Sequence, residues 1–355
     1  VNIFTIGLLI LYGIVALFSV SIHESFTLTL WGDPSNYFYF LRQLRNIAVG
    51  VVIARFVYKT PLATIRSRRY IILGVVLVVT LLLFSPLGIE LNGARLRLQV
   101  PVLGTLQPGE FFKLGFVLLV SDWLIRKKAL LNSFAFMSFG IVTGLCYFLF
   151  LLLRDNGTIL ILLVSLILYW YLGKKRYVLM LIGIIAFLIV SQVNYVRDRF
   201  EAFINPNSDQ TRSTWQVKNA LLAVGGGLWG KYGKGLQKFG YIPEAQSDYI
   251  FAAYSEEVGL IGNSILIGLY VWLILFFLLQ LKYVRDDYLR AVGVGCISLI
   301  VIQAFINIVN INILPSTGLT LPFISFGGTA IMVNLIELVL LHKILVEGKG
   351  LKKLY

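Results

Sequence analysis

Cysteine, charge and long polar stretches are all scarce in this sequence, and each scarcity removes a class of protein. Cys146 and Cys296 are the only two cysteines among 355 residues. Both fall in apolar segments, too few and too far apart for a thiolate metal site or a redox pair. Charged residues make up 14% of the chain against 58% hydrophobic, and the mean hydropathy is +0.84, which excludes an ordinary soluble domain. No polar stretch is long enough to fold by itself, so residues 1–355 are expected to form a single polytopic domain. The strand and closing Lys-Ser/Thr of a phosphate-binding Walker loop are missing, and no clear duplicated half stands out.

Long apolar runs are what the chain does have. A helical span needs about 20 apolar residues, and ten spans can be laid down: 2–22, 43–58, 68–87, 109–125, 132–153, 157–173, 177–193, 249–280, 290–311 and 323–346. The expected fold class is therefore an all-α integral membrane protein of about ten transmembrane helices, with a long extracytoplasmic loop, 194–248, between helices seven and eight. Basic residues set the orientation. They cluster at Arg66, Arg68 and Arg69, at Arg126, Lys127 and Lys128, at Lys174, Lys175 and Arg176, at Lys282, Arg285 and Arg290, and at Lys343, Lys349, Lys352 and Lys353. With an even number of spans all fall on one side, which places both termini in the cytoplasm. The formal net charge of +14 then reflects topology and anionic membrane lipids, and no nucleic-acid partner is expected. The first span is too long for a signal peptide and lacks a small-residue cleavage site, so it is expected to be retained.

Polar residues are exceptions in such a chain, and each needs a reason. The long loop carries Arg197, Trp215 and Gln216, then a glycine-dense run from Gly225 to Gly235. Glycine permits close backbone approach to a ligand, and a hairpin lying on the membrane surface accounts for the same composition. Glu244 and Asp248 follow at the outer entrance of the eighth span, where Asp248 reads either as a helix N-cap or as a carboxylate with a task. Glu256 and Glu257 lie two turns deeper, so at least one must face protein or a wet cavity. Glu110 and Lys113 open the fourth span three residues apart, on one helical face. A local ion pair and a catalytic role both remain open for them. Arg95 and Arg97 place two guanidinium forks outside the membrane, suited to phosphate oxygens. Gln303, Asn307 and Asn310 share a face of the ninth span. Beyond them, Pro315 to Thr329 breaks regular helix, including Ser325, Gly327 and Gly328, and broken helix in a membrane must line a protein-walled crevice.

Five segments in this order resemble the shape, elongation, division and sporulation (SEDS) family, whose members include RodA, FtsW and SpoVE. They are Asn92-Gly93-Ala94-Arg95, Gln107-Pro108-x-Glu110-x-x-Lys113-Leu114, Asp155-x-Gly157-Thr158, Pro243 through Gly262 with Asp248, and Pro315 through Gly328. The resemblance covers nearly the whole chain. It implies a peptidoglycan glycosyltransferase that polymerises lipid II into β-1,4-linked glycan on the outer face of the bacterial cytoplasmic membrane, in partnership with a class B penicillin-binding protein transpeptidase. The family's essential aspartate matches Asp248, and its glutamate and lysine match Glu110 and Lys113. Three departures stand out: Arg97 in place of an aromatic, Gly109 in place of serine, and Leu153-Arg154 in place of Gln-Pro.

Under that resemblance Asp248 is expected to act as general base toward an incoming sugar hydroxyl. Arg95, Arg97, Lys113 and Arg197 are expected to stabilise the departing undecaprenyl pyrophosphate. A divalent cation, Mg or Mn, can do the same work, but no constellation of ligands demands one. Gln216, Glu244, Ser325, Gly327 and Gly328 are expected to line the crevice. The rival readings are a flippase or transporter of lipid-linked precursor, since broken helices also suit alternating access, and a noncatalytic membrane scaffold for cell-wall proteins.

Overall fold

The computed structural model describes residues 2–27, 37–91, 94–100, 104–126, 133–155, 212–225, 227–231, 242, 244–309 and 318–348. The expected spans 157–173 and 177–193, Arg197, Asn310 and residues 194–211, 226, 232–241 and 243 of the expected loop 194–248 lie outside the described residues. The chain is an integral membrane protein of the all-α class, with one small sheet. Its helices are α1 (Asn2–Thr27), α2 (Phe38–Lys59), α3 (Leu62–Ser67), α4 (Arg69–Leu81), α5 (Pro108–Arg126), α6 (Ser133–Leu152), α7 (Arg212–Val224), α8 (Ile250–Leu281), α9 (Asp287–Val309) and α10 (Gly328–Gly348). Among the described residues α8, α9 and α10 are long and apolar enough to cross a bilayer, and shorter apolar stretches occupy Thr5–Ser21, Arg69–Phe84 and Ile141–Phe150. Helix is the form such sequences must take in lipid, because each backbone amide then finds its acceptor within its own segment.

Local chemistry sets the helix ends. Pro61 cannot continue α2, and with φ −54° and ψ 140° it leads directly into α3. Asp286 caps α9, its Oδ1 accepting from the amides of Tyr288 and Leu289 at 2.7 and 3.1 Å. The helix consequently starts at Asp287 rather than at 290. The last helix begins at Gly328 rather than at 323, since Phe323 holds a φ of 68° and residues 322–325 form a turn.

Chain contacts divide the molecule into two compact units. The first comprises Val1–Arg45, Ile184–Leu275 and Gln303–Gly327. Within it α1 lies on α8: the Tyr12 hydroxyl donates to the Gly262 carbonyl at 2.9 Å, and Ser19 Oγ donates to the Glu257 carboxylate. The Tyr12 and Tyr254 rings meet edge to face at 5.3 Å.

The second unit comprises Asn46–Gly183, Phe276–Ile302 and Gly328–Tyr355. Here α5 is wrapped by α4 and α10, and Phe112, Phe116, Val117 and Leu118 are buried on several of its sides. Between α4 and α5 runs the sheet: β1 (Gly88–Leu91), β2 (Ala94–Val100) and β3 (Gly104–Leu106), antiparallel in the order β1-β2-β3. Leu98 is buried while Arg95 and Arg97 are exposed on the alternate positions, the period-two pattern of a half-covered strand. Hydropathy alone reads this segment as an outer connection between spans.

The basic residue clusters do more than mark orientation. Arg69 pairs with the fully buried Asp122 at 2.7 Å, Arg66 approaches the same carboxylate at 3.6 Å and Asp286 at 3.3 Å, and the Arg66 guanidinium lies 4.5 Å from the Tyr288 ring centroid. Asp122 inside a span is affordable because two guanidinium groups meet it.

Candidate active site

Asp248 is held by its backbone. Residues 244–249 form a turn ahead of α8, in which the Glu244 carbonyl accepts from the amides of Ser247 and Tyr249 at 3.0 and 3.3 Å. Glu244 sits at φ 55°, exposed, and its carboxylate accepts from Ser247 Oγ at 3.1 Å. From α9, the fully buried Asn307 donates through Nδ2 to the Asp248 carbonyl at 3.1 Å and to the Leu319 carbonyl at 2.7 Å. One amide thus ties the turn to the segment that follows α9.

Ser325 makes the complementary tie. Its hydroxyl donates to the Ser247 carbonyl at 2.7 Å and accepts from the Leu321 amide at 2.7 Å, while the Phe326 amide donates to the Gln246 carbonyl at 2.8 Å. Gln43 of α2 donates to the Ser325 carbonyl at 3.2 Å, Tyr270 donates to the Pro322 carbonyl, and the rings of Tyr39 and Phe326 meet at 4.9 Å. The irregular backbone of 318–327 is therefore satisfied by protein, as membrane depth requires. Gly318, exposed at φ 69°, stands beside the aspartate: a Cβ there would lie 3.6 Å from Asp248 Oδ2. Asp248 itself is half-buried, with a glycine beside its carboxylate.

The second polar cluster lies in the second unit and is sealed. Lys113 Nζ is 2.7 Å from Glu110 Oε2, and both side chains are less than a tenth exposed. The expected pairing across three residues is thus present. Glu337 of α10, buried in the same unit, lies within electrostatic reach of both. Its Oε2 makes no hydrogen bond among the described residues. Above this cluster the Gln107 amide donates to Thr329 Oγ1 at 2.9 Å, joining the starts of α5 and α10. Gly109, where the resemblance leads one to expect serine, has a spatial reason: a Cβ would stand 2.8 Å from Asp155 Oδ2. Arg154, beside that aspartate, is exposed at φ 56°.

The remaining expected residues are scattered. Arg95 pairs with Glu90 at 3.0 Å on the exposed sheet, and Arg97 is exposed two residues along the same strand. Gln216 lies on α7, but its side chain is outside the described residues, as is Arg197. Gly327 and Gly328 are half-buried at the entry to α10. Asp122 and Glu337 were not singled out from the sequence, although a charged residue inside an apolar helix is itself the signal. Among the described residues no group of three or more His, Cys, Asp or Glu is placed to hold a metal ion. The divalent cation left open by the sequence thus has no such ligand set among the described residues.

Apolar helices with internally paired charges, and broken backbone tied off by buried amides and hydroxyls, define a multi-pass membrane protein built around polar sites. The sequence profile of the cell cycle protein family of FtsW, RodA and SpoVE matches residues 1–350, and the chain belongs to that family. It is 34% identical over 361 residues to the probable peptidoglycan glycosyltransferase FtsW of Alcanivorax borkumensis, covering 97% of this chain and 92% of that one. It is 32% identical over 349 residues to the stage V sporulation protein E of Bacillus subtilis, covering 92% and 91%. Its fold matches, with a TM-score of 0.81 at 22% identity, a chain from a peptidoglycan synthase complex that coordinates polymerization and crosslinking, covering 99% and 98%.

Proposed function

We propose that this chain is an inverting glycosyltransferase that polymerises lipid II into β-1,4-linked peptidoglycan strands, with Asp248 as general base. The observation that carries the reading is the Asp248 turn. Its backbone is fixed from two directions, by Asn307 and by Ser325, while the aspartate is half-buried with its carboxylate beside a glycine. That arrangement suits a proton acceptor, which must be immobile yet reachable. The names of the relatives point to the same chemistry.

In the proposed reaction the 4-hydroxyl of GlcNAc on one molecule attacks the anomeric carbon of MurNAc on another. Asp248 accepts the hydroxyl proton as the new C–O bond forms, the bond from the anomeric carbon to pyrophosphate breaks, and the undecaprenyl pyrophosphate leaves. Direct displacement turns the α-linked donor into a β-linked product and needs one carboxylate rather than two. Pyrophosphate is a good leaving group, so cations serve it better than a protonated acid. Arg95 and Arg97 are assigned that contact, and the Glu110–Lys113 pair a supporting charge. Both substrates carry isoprenoid tails, and confinement in the membrane supplies part of their orientation.

The single polytopic domain, the ten-span topology with cytoplasmic termini, the bacterial cytoplasmic membrane and a class B penicillin-binding protein partner belong to this same reading. The fold shared with a chain of a synthase complex supports the partner. The test is polymer formation from labelled lipid II by the purified protein in liposomes, with and without the transpeptidase. Asp248→Asn should fold like the wild type and make no polymer. Normal polymerisation by that variant removes Asp248 as the base.

A further inference from the structure

The glycine-dense run of the outer loop meets α8 where that helix is interrupted. At Gly259 the backbone turns to φ 64° and ψ −163°. The amides of Leu260 and Ile261 donate instead to the carbonyls of Gly227 and Leu228, at 3.0 and 3.3 Å, and the Glu256 carbonyl accepts from the Lys231 amide at 2.6 Å. Residues 227–231 thus form a strap laid backbone to backbone along one turn of α8. A Cβ on Gly230 would stand 2.3 Å from the Glu257 carbonyl oxygen, and one on Gly259 2.3 Å from the Gly230 nitrogen. Both positions hold positive φ, so only glycine fits either side of the seam.

The depth of this seam follows from α8 itself. The helix ends at Leu281, followed by Lys282 and Arg285. Counting one hydrocarbon thickness, about 20 residues, back from Lys282 reaches Gly262, within a turn of the interruption. The strap therefore sits at the membrane interface, the level where tryptophan rings gather. Trp229 is 77% exposed and Leu228 54% exposed there. The apolar window of α8 is only 28% buried, against 78% for α9 and 83% for α10, so most of this apolar helix is left uncovered by the chain's own residues. The preceding α7 also exposes Leu221 and Leu222, with Lys218 exposed on the same short helix.

We propose that the strap 227–231 is an interfacial anchor whose occupant is bilayer lipid: Leu228 and Trp229 enter the acyl chains of the leaflet at the Asp248 end of α8. The Gly230–Gly259 seam is what lets exposed backbone reach that level with its hydrogen bonds satisfied. The anchor ties the outer loop to the helix that Asp248 precedes.

The full chain in liposomes tests this without any glycan readout. In a background of Cys146→Ala and Cys296→Ala, a nitroxide is placed at Trp229→Cys and, for comparison, at Glu90→Cys on the exposed sheet. Collisions with lipid-soluble oxygen should exceed those with a water-soluble nickel chelate severalfold at 229, and the order should reverse at 90. Nickel dominating at 229 overturns the proposal, and so does a label shielded from both reagents, which means protein covers the site. Because labelling replaces the ring, a second measurement compares wild type with Trp229→Phe in liposomes of acyl-brominated lipid. The quenchable fluorescence should be smaller in the variant, and an equal quenchable signal overturns the anchor.

Discussion

The Asp248 turn and the Glu110–Lys113 cluster are both polar sites in an apolar chain, and they solve the problem of polarity in opposite ways. At Asp248 the surrounding amides and hydroxyls bind backbone carbonyls, so the turn that carries the aspartate is held in place while the residue stays only half-buried. At Glu110 and Lys113 the charges face each other and are closed off, with a second carboxylate, Glu337, nearby. A group meant to exchange a proton needs access. A group meant to hold charge at fixed position benefits from being sealed. Under the proposed function, the difference separates a site that would act on substrate from one that would set the electrostatic background.

The sharpest way to break the comparison is to neutralise each site. Asp248→Asn should lower polymerisation by about 10²–10⁴-fold, the usual worth of a general base, and leave the melting curve near that of the wild type. If the melt collapses instead, Asp248 belongs with the sealed charges. Lys113→Met should act mainly on stability, costing about 3–5 kcal/mol because it strands a buried carboxylate, read as an early thermal transition in detergent. Adding Glu110→Gln should recover part of that loss, and strictly additive losses would contradict the pair.

Asn307→Ala takes the side-chain donor from the buried Leu319 carbonyl and the part-buried Asp248 carbonyl, and should cost about 1–3 kcal/mol. Its larger effect should be on turnover, since the freed turn no longer fixes the aspartate. Equal loss in stability and none in turnover would make Asn307 a purely structural tie. Arg97→Ala should have the smallest effect, a rise of a few fold in KM for the lipid-linked donor with kcat unchanged, measured over a lipid II titration.

Much of the fold was legible because membrane helices announce themselves by long apolar runs, as α8 and α9 do. The Glu110–Lys113 pair was legible from spacing alone. The sheet was not, since a seven-residue strand in which only Arg95 to Leu98 alternate Arg and Leu carries a weak signal beside twenty-residue apolar runs. Arg66 and Arg69 were readable as inner-face markers, but their partner Asp122 stands more than fifty positions away, and periodicity does not report such pairing. The same holds at the candidate site. Asp248 is conspicuous in sequence, whereas the ties from Asn307 and Ser325 depend on two chain segments meeting.

One small contact bears on how the molecule is made. Lys343 of α10 donates to the carbonyls of Tyr58 and Thr60 at the end of α2, 285 and 283 positions earlier. Those carbonyls have no following helical turn to serve them, so the second helix keeps an open end throughout most of synthesis. That contact must wait until residue 343 has emerged from the ribosome, so the end of an early helix is capped only by one of the last residues to be made.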